Sequence, residues 1–289
     1  MADVPDEPVQ KTYTTGFPRL DAHGFRLVRP ALMPVVGPYG SGKSVLLRQL
    51  AANLWRLHGW RTLITAFEEK VKPRFQRDLR RHLVGREDYD NNGELHWTPK
   101  PMDQWAPSDV AAADAAIEKG FRFLRRPRNA LMDANRLLDR IEYAARVYGV
   151  EVVVIDPVNE IDHQVPKGDT KTEYMGRFII DLKKMADDYG LLMIVAAHPP
   201  KESVEKRSSK SRLMTLNDAA DTAHFGNKAD IGWCVWRPNM EGPTFLHIDK
   251  LKDVETMGKP TLAKLDHDIR FNAFTVTRVG YEIFAELES

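Results

Sequence analysis

The chain has 289 residues, 43% hydrophobic and 29% charged, with a formal net charge of +1 at pH 7. These are the proportions of an ordinary globular protein with enough apolar mass for one large α/β domain, alone or with an added subdomain. Near-neutral charge argues neither for nor against a nucleic-acid partner, and the single cysteine, Cys234, excludes an internal disulfide framework and any zinc site built on several thiolates.

Residues 1–12 are rich in Pro, Asp and Glu and read as a flexible arm. The arm lacks the apolar stretch of a secretory signal, and no run approaches the roughly eighteen apolar residues of a membrane span. A lone thiol also suits a reducing compartment. The expectation is a soluble, cytoplasmic protein with no membrane partner. The folded part, 13–289, opens with Thr15-Gly16-Phe17-Pro18-Arg19-Leu20-Asp21, a compact turn with hydrophobic anchors, and Leu32–Val36 then reads as a short buried strand.

Gly37-Pro38-Tyr39-Gly40-Ser41-Gly42-Lys43-Ser44 follows and fits G-x-x-x-x-G-K-[ST], in which backbone N–H groups cradle the phosphates of a nucleotide. The glycines let the backbone approach the anion without a Cβ in the way. Lys43 is of a length to reach the β and γ phosphates, and the Ser44 hydroxyl suits Mg²⁺. Val45, Leu46, Leu47, Leu50, Ala51, Leu54 and Leu57 then recur at helical spacing until Gly59, a natural stop. Strand, loop and helix together predict a nucleoside triphosphate site made of Gly37, Pro38, Tyr39, Gly40, Ser41, Gly42, Lys43, Ser44 and Val45.

Arg61–Phe67 reads as a second strand ending at Glu68 and Glu69. Strand C-termini face the ligand crevice of an open α/β sheet. If this strand neighbours the loop strand, Glu68 is the candidate to orient or deprotonate an attacking water, with Glu69 in reserve. Residues 70–82 are strongly basic, with Phe75, Leu79 and Leu83 at helical spacing. They predict an amphipathic surface helix, a nucleic-acid contact being the alternative. Residues 85–130 show no clean periodicity and read as an irregular insertion with a short strand at Glu94–Trp97. A basic cluster, Arg122, Arg125, Arg126 and Arg128, lies near its end.

Two similar units come next: a helix over Leu131–Tyr148, Gly149 and the strand Val152–Ile155, then a helix over Glu173–Tyr189, Gly190 and the strand Leu191–Ala197. Repeated helix, glycine stop and all-apolar strand predict a parallel sheet covered on both faces. Asp156 ends the first of these strands, where a carboxylate orients Mg²⁺ directly or through water. His198 ends the second and is placed to touch a γ-phosphate. The segment after it carries Lys201, Lys206, Arg207, Lys210 and Arg212 among serines, without hydrophobic period, and reads as a loop for a phosphate backbone. An ordinary solvated linker is the alternative. Ile231–Trp236, Thr244–Asp249 and Phe271–Val276 read as an antiparallel extension.

These motifs, in this order, resemble the RecA-type motor domain of the hexameric replicative helicases, the DnaB and Twinkle class, and within it the phage, plasmid and organellar branch that often follows a TOPRIM primase. Thr15-Gly16-Phe17 with Leu20-Asp21 is similar to that domain's entry motif, and Phe67-Glu68-Glu69 to the motif that holds its catalytic glutamate. Asp156-Pro157-Val158-Asn159-Glu160 is similar to the branch's Asp-Pro-Trp-Asn-Glu, and His198-Pro199-Pro200-Lys201 to its His-Pro-Thr-Lys. Asn217–Asp230 resembles a fourth motif associated with single-stranded DNA. The resemblance spans about residues 12–278. It implies a RecA-like nucleotide-binding fold, ATP and Mg²⁺ as cofactors, single-stranded DNA as partner, a hexameric ring, and a primase or other replication protein as further partner.

Where the family places Lys-x-Arg to reach a neighbouring subunit's γ-phosphate, this chain has Lys250-Leu251-Lys252, which keeps the charge and loses the planar fork. Arg237 and Arg270 are the available substitutes. The expectation is a motor without a preceding primase domain, on an arm too short for a full helical collar. Three readings stand: an ATP-hydrolysing DNA helicase acting as a ring, an ATP-dependent DNA-binding or helicase-loading module, and a recombinase- or KaiC-like ATPase.

Overall fold

The computed structural model describes residues 10–67, 75–89, 95–126, 131–200, 213–219, 223–238 and 242–287. Its centre is built from apolar runs that become strands buried on both faces: β3 (Ala31–Val36), β8 (Val152–Asp156) and β9 (Leu192–Ala197). Helix α2 (Lys43–His58) covers one face through Leu46, Leu47, Leu50 and Leu54. Each such buried side chain contributes about 1.5–3 kcal/mol. Helices α5 (Ala134–Tyr148) and α6 (Lys171–Tyr189) cover the other through Leu137, Ile141, Ile179 and Leu182. Strand β8 divides its side chains accordingly: Val152 and Val154 join the first core, Val153 and Ile155 the second. The period of two does this directly.

Local signals set the ends of these helices. Asp133 caps α5 by accepting from the Arg136 N–H at 2.9 Å, and Thr170 and Glu173 form a reciprocal capping box on α6. Gly59, Gly149 and Gly190 end the three long helices in the left-handed conformation. Before β3 the short strands β1 (Thr12–Tyr13) and β2 (Leu27–Val28) pair antiparallel around α1 (Pro18–Ala22), and Asp21 organises this entry turn. Its carboxylate accepts from both the Thr15 N–H and hydroxyl at 2.8 Å and from the Gly16 N–H at 2.9 Å.

Beside β8 lies β4 (Thr62–Ala66), and beside β4, at the sheet's edge, β7 (Phe121–Leu124). The expected irregular insertion over 85–130 is therefore corrected. Its described residues form a hairpin, β5 (Gly85–Tyr89) with β6 (Leu95–Pro99), then α4 (Pro107–Gly120) and β7. Helix α4 escaped periodicity because its apolar positions are mostly alanines, Ala111 to Ala113, Ala115 and Ala116, which favour helix without making an apolar stripe. The basic stretch before it does become a helix, α3 (Gln76–Leu83).

The C-terminal strands also need correcting. β10 (Ile231–Trp236) runs parallel to β3 and antiparallel to β11 (Thr244–Leu251), so it closes the parallel sheet and opens the extension at once. A strand absent from the sequence reading, β12 (Thr261–Asp268), pairs with β11 and with β13 (Ala273–Val279). A register shift between Lys264 and Leu265 breaks its alternation, which hid it. Among the described residues, the nine strands of this sheet run β13-β12-β11-β10-β3-β9-β8-β4-β7.

At the edge where β3 begins, Asp230 is 5% exposed and ties three elements. It accepts from the Leu32 N–H and from the Lys183 ammonium, each at 2.8 Å, and Lys252 reaches it at 3.3 Å. Replacing the buried carboxylate leaves the Leu32 N–H without its acceptor and takes from Lys183 one of its two carboxylates, Asp187 being the other. Asp230→Ala is expected to lower the unfolding free energy by about 2–4 kcal/mol in urea titrations. Asp230→Asn keeps an acceptor for Leu32 and should lose clearly less. A loss below about 0.5 kcal/mol for alanine would mean that the carboxylate does not hold this edge.

Candidate nucleotide-binding site

Strand β3 ends at Val36, and the chain passes through Gly37–Gly42 into α2, whose first N–H groups lack intrahelical partners. Two glycines are required by space. A Cβ on Gly37 would lie 2.3 Å from the Val235 carbonyl oxygen; one on Gly42, where φ is +90°, would lie 2.6 Å from the Phe274 ring. The Ser41 hydroxyl is buried and has no partner among the described residues. Above the loop opens a cavity of about 290 Å³, bordered by Tyr39 to Val45 on the floor and by His267, Asn272 and Phe274 opposite. A glycine-lined turn, an orphaned hydroxyl, a lysine and a helix N-terminus are the donor set that a polyphosphate takes, so these residues fit the nucleotide that the motif implies.

Lys43 is 4% exposed and folds onto the loop. Its ammonium donates to the Gly37 and Pro38 carbonyls at 2.5 and 2.9 Å and lies 3.2 Å from His198 Nδ1. His198 is thereby brought to the phosphate site, as its position at the end of β9 predicts. Tyr39 stacks on its imidazole with ring centroids 3.7 Å apart. The His198 N–H donates to Asn159 Oδ1 at 3.1 Å, joining the strand end to the Asp-Pro-Val-Asn-Glu turn. Burial first, and the Lys43 ammonium second, push the imidazole down to about 4, so it is neutral at pH 7.

Asp156 ends β8 on the same sheet edge, one strand removed from the loop because β9 lies between. Its N–H donates to the Thr65 hydroxyl at 3.0 Å. The premise for Glu68 needs correction: β4 does not neighbour β3 but lies beyond β9 and β8. Parallel pairing still brings its C-terminal end to the loop's edge, with Ala66 opposite Asp156. Glu68 and Glu69 themselves lie outside the described residues, as do Lys201, Lys206, Arg207, Lys210 and Arg212.

Lys250 and Lys252 are not brought to this chain's own loop. Leu251 pairs with Ile231, the first residue of β10, whereas the loop sits at the other end of that strand. Lys250 donates to the Gly226 carbonyl at 2.6 Å, and Lys252 meets Asp230. Of the two substitute arginines, Arg237 borders the cavity in the same chain and donates to the Gly242 carbonyl at 3.2 Å. Arg270 pairs with Asp268 on the exposed hairpin.

The sequence reading missed a buried pair that lines the cavity, Arg48 and Asp78. Arg48 donates to the Ser44 carbonyl at 2.9 Å and to Asp78 at 2.9 Å, both side chains being almost fully buried. Asp78 also takes Arg81 at 3.2 Å, so α3 is clamped to α2 by the lone acid in a basic stretch. That isolation was the available signal. His82 is buried beside this group; burial, then Arg48, Arg81 and Arg56, push it down to about 3.

Both imidazoles have folded-state values below the ordinary 6.5. Unfolding therefore takes up protons between that value and about 4, and stability present above pH 6.5 is lost as pH falls through the window. Urea unfolding at pH 7 and pH 5 should show the loss, and His198→Gln should reduce it. Equal free energies at the two pH values would contradict the buried, neutral state of both rings.

The model of the AAA domain family matches residues 23–204, more than half of the chain. The chloroplastic/mitochondrial Twinkle homolog of Arabidopsis thaliana is 26% identical over 224 residues, covering 78% of this chain and 30% of that protein. The chain thus spans under a third of that relative's length. Among solved structures, the ATPase domain of G40P matches with a TM-score of 0.68 at 18% identity, covering 92% of this chain and 91% of that one. A DnaB-like replicative helicase, solved for its interactions with primase, matches at 0.66 and 16% identity, covering 91% of this chain and 61% of its own. A KaiC-like protein from Pyrococcus horikoshii matches at 0.60 and 13% identity, covering 93% and 100%. Phosphate loop, strand order and family match agree: the chain belongs to the AAA domain family and has the fold of a RecA-type helicase ATPase domain.

Proposed function

We propose that this chain is an ATP-hydrolysing motor that moves on single-stranded DNA as a ring-shaped oligomer, a hexamer on the family pattern, in the cytoplasm and with a primase or other replication protein as partner. In this reading Gly37–Val45 hold the phosphates, and Ser44 and Asp156 hold Mg²⁺, which supplies charge neutralisation of the transferred phosphoryl group. Glu68 positions the attacking water. Lys250 and Lys252 serve a neighbouring copy's site, since each lies at the sheet edge remote from its own loop. Single-stranded DNA is gripped by Lys201, Lys206, Arg207, Lys210 and Arg212.

The observation that carries the reading is the contact of Lys43 with His198, 3.2 Å apart. It joins the residue that meets the γ-phosphate to the strand end from which the basic segment departs, so phosphate state and DNA grip share one lever. The loading-module alternative draws on Lys250-Leu251-Lys252, which lacks the guanidinium used to complete a neighbour's site. The KaiC-like alternative draws on fold alone.

Adding single-stranded DNA should raise ATP hydrolysis, and Lys43→Ala should lower it roughly 100-fold or more. A rate indifferent to DNA, with rings verified by electron microscopy, would sink the motor reading. Hydrolysis with assembly on DNA but negligible fork unwinding would select the loading module. Neutralising the five cations of 201–212 should flatten the dependence of log affinity on log salt by about 0.7 for each phosphate they cease to neutralise. An unchanged slope would make that segment a linker.

A further inference from the structure

The turn of the β12–β13 hairpin hangs over the phosphate loop, and one side chain on the loop's own helix holds it. Gln49 Nε2 donates to the Phe274 carbonyl at 2.8 Å, and the Phe274 N–H donates to Gln49 Oε1 at 2.7 Å. Among the described residues β13 is the terminal strand of the sheet, and one edge of its backbone meets no further strand. The primary amide offers Phe274 one donor and one acceptor, as a neighbouring strand would. The Phe274 ring, 4% exposed, rests on Gly42, and His267 lies 5.0 Å from it between ring centroids. His267 Nε2 in turn is 3.2 Å from Asn272 Oδ1. Floor and roof of the cavity are therefore fixed to the same helix, the floor covalently through Lys43 and the roof through Gln49.

We propose that Gln49 is a positioning residue for nucleotide binding: it latches the β12–β13 hairpin over the phosphate loop and so sets the height of the cavity that a nucleoside triphosphate enters. The inference rests on the reading of Gly37–Ser44 as a triphosphate site. Gln49 does not border the cavity, so its effect passes through Phe274, His267 and Asn272, which do. Freed from the latch, the hairpin keeps its pairing with β11 and the packing of Phe274 and Val276 on the core that α2 shares, but loses its hydrogen bonds to α2. Nucleotide binding must then order it first, and affinity falls by that cost. Two hydrogen bonds of ordinary net strength set the size of the effect.

The test is equilibrium titration of a fluorescent N-methylanthraniloyl ATP with Mg²⁺ against the parent chain, Gln49→Leu and Gln49→Glu, each at pH 8 and pH 5, with thermal midpoints recorded without nucleotide. Gln49→Leu should raise the dissociation constant roughly five- to thirty-fold at both pH values, about 1–2 kcal/mol. Gln49→Glu should be as weak at pH 8, because an ionised carboxylate cannot donate to the Phe274 carbonyl. At pH 5 the facing carbonyl and partial burial favour the protonated acid, which donates and accepts as the amide does, and affinity should return towards the parent's. Lys264, Asp266, His267, Asp268, Arg270 and Arg278 on the hairpin, and Arg48, next to Gln49 on α2, are common to all three proteins, so each variant is compared with the parent at the same pH. Binding by Gln49→Leu within twofold of the parent overturns the proposal. So does a Gln49→Glu deficit that is the same at both pH values, which would mark a packing role. Failure of the parent itself to bind overturns the triphosphate reading instead.

Discussion

At Gly37 an added carbon would stand 2.3 Å from the Val235 carbonyl oxygen, and at Gly42 2.6 Å from the Phe274 ring. These two approaches squeeze the loop between β10 on one side and the β12–β13 hairpin on the other, and much of the molecule serves to maintain them. β10 must run parallel to β3 for Val235 to arrive there; β11 and β12 must follow for Phe274 to return. The antiparallel extension is thus part of the binding site, and its strands build the wall and roof that a bare strand-loop-helix unit lacks.

The polar groups around the loop form a connected set. Lys43 bonds to carbonyls of its own loop and touches His198; His198 is held by Asn159 through the backbone and by Tyr39 through its ring. On the cavity lining, Arg48 links the Ser44 carbonyl to Asp78 and hence to α3. Burial first and the Lys43 ammonium second hold the His198 imidazole neutral, so their contact carries one cation where two would repel.

Most of the central sheet and the floor of the site were legible because their signals are local. Val152–Ile155 and Leu192–Ala197 are apolar without interruption, Gly149 and Gly190 stop their helices, and the phosphate loop has a fixed spacing. What escaped was set by partners distant in the chain. β12 lost its alternation to a bulge, α4 uses alanine where a stripe of leucine would be visible, and Asp78 is one acid in a basic stretch whose buried partner, Arg48, lies 30 residues earlier in the chain. The neighbour of β4 also depends on strand order, which no local pattern encodes.

Asp230 gives the remote edge of the sheet an asymmetry between its two lysines. The buried carboxylate is already met by the Leu32 N–H and by Lys183, so Lys252 is its third partner, with a side chain 68% exposed. An ion pair of that exposure is worth little in water, so Lys252 can be lent to an anion on another molecule at small cost to the fold. Lys250 is less free: its ammonium bonds to the Gly226 carbonyl, and burial lowers its basicity. One edge of the sheet thus carries a cation to spare and a cation in use, and the strand that begins beside them ends at the phosphate loop.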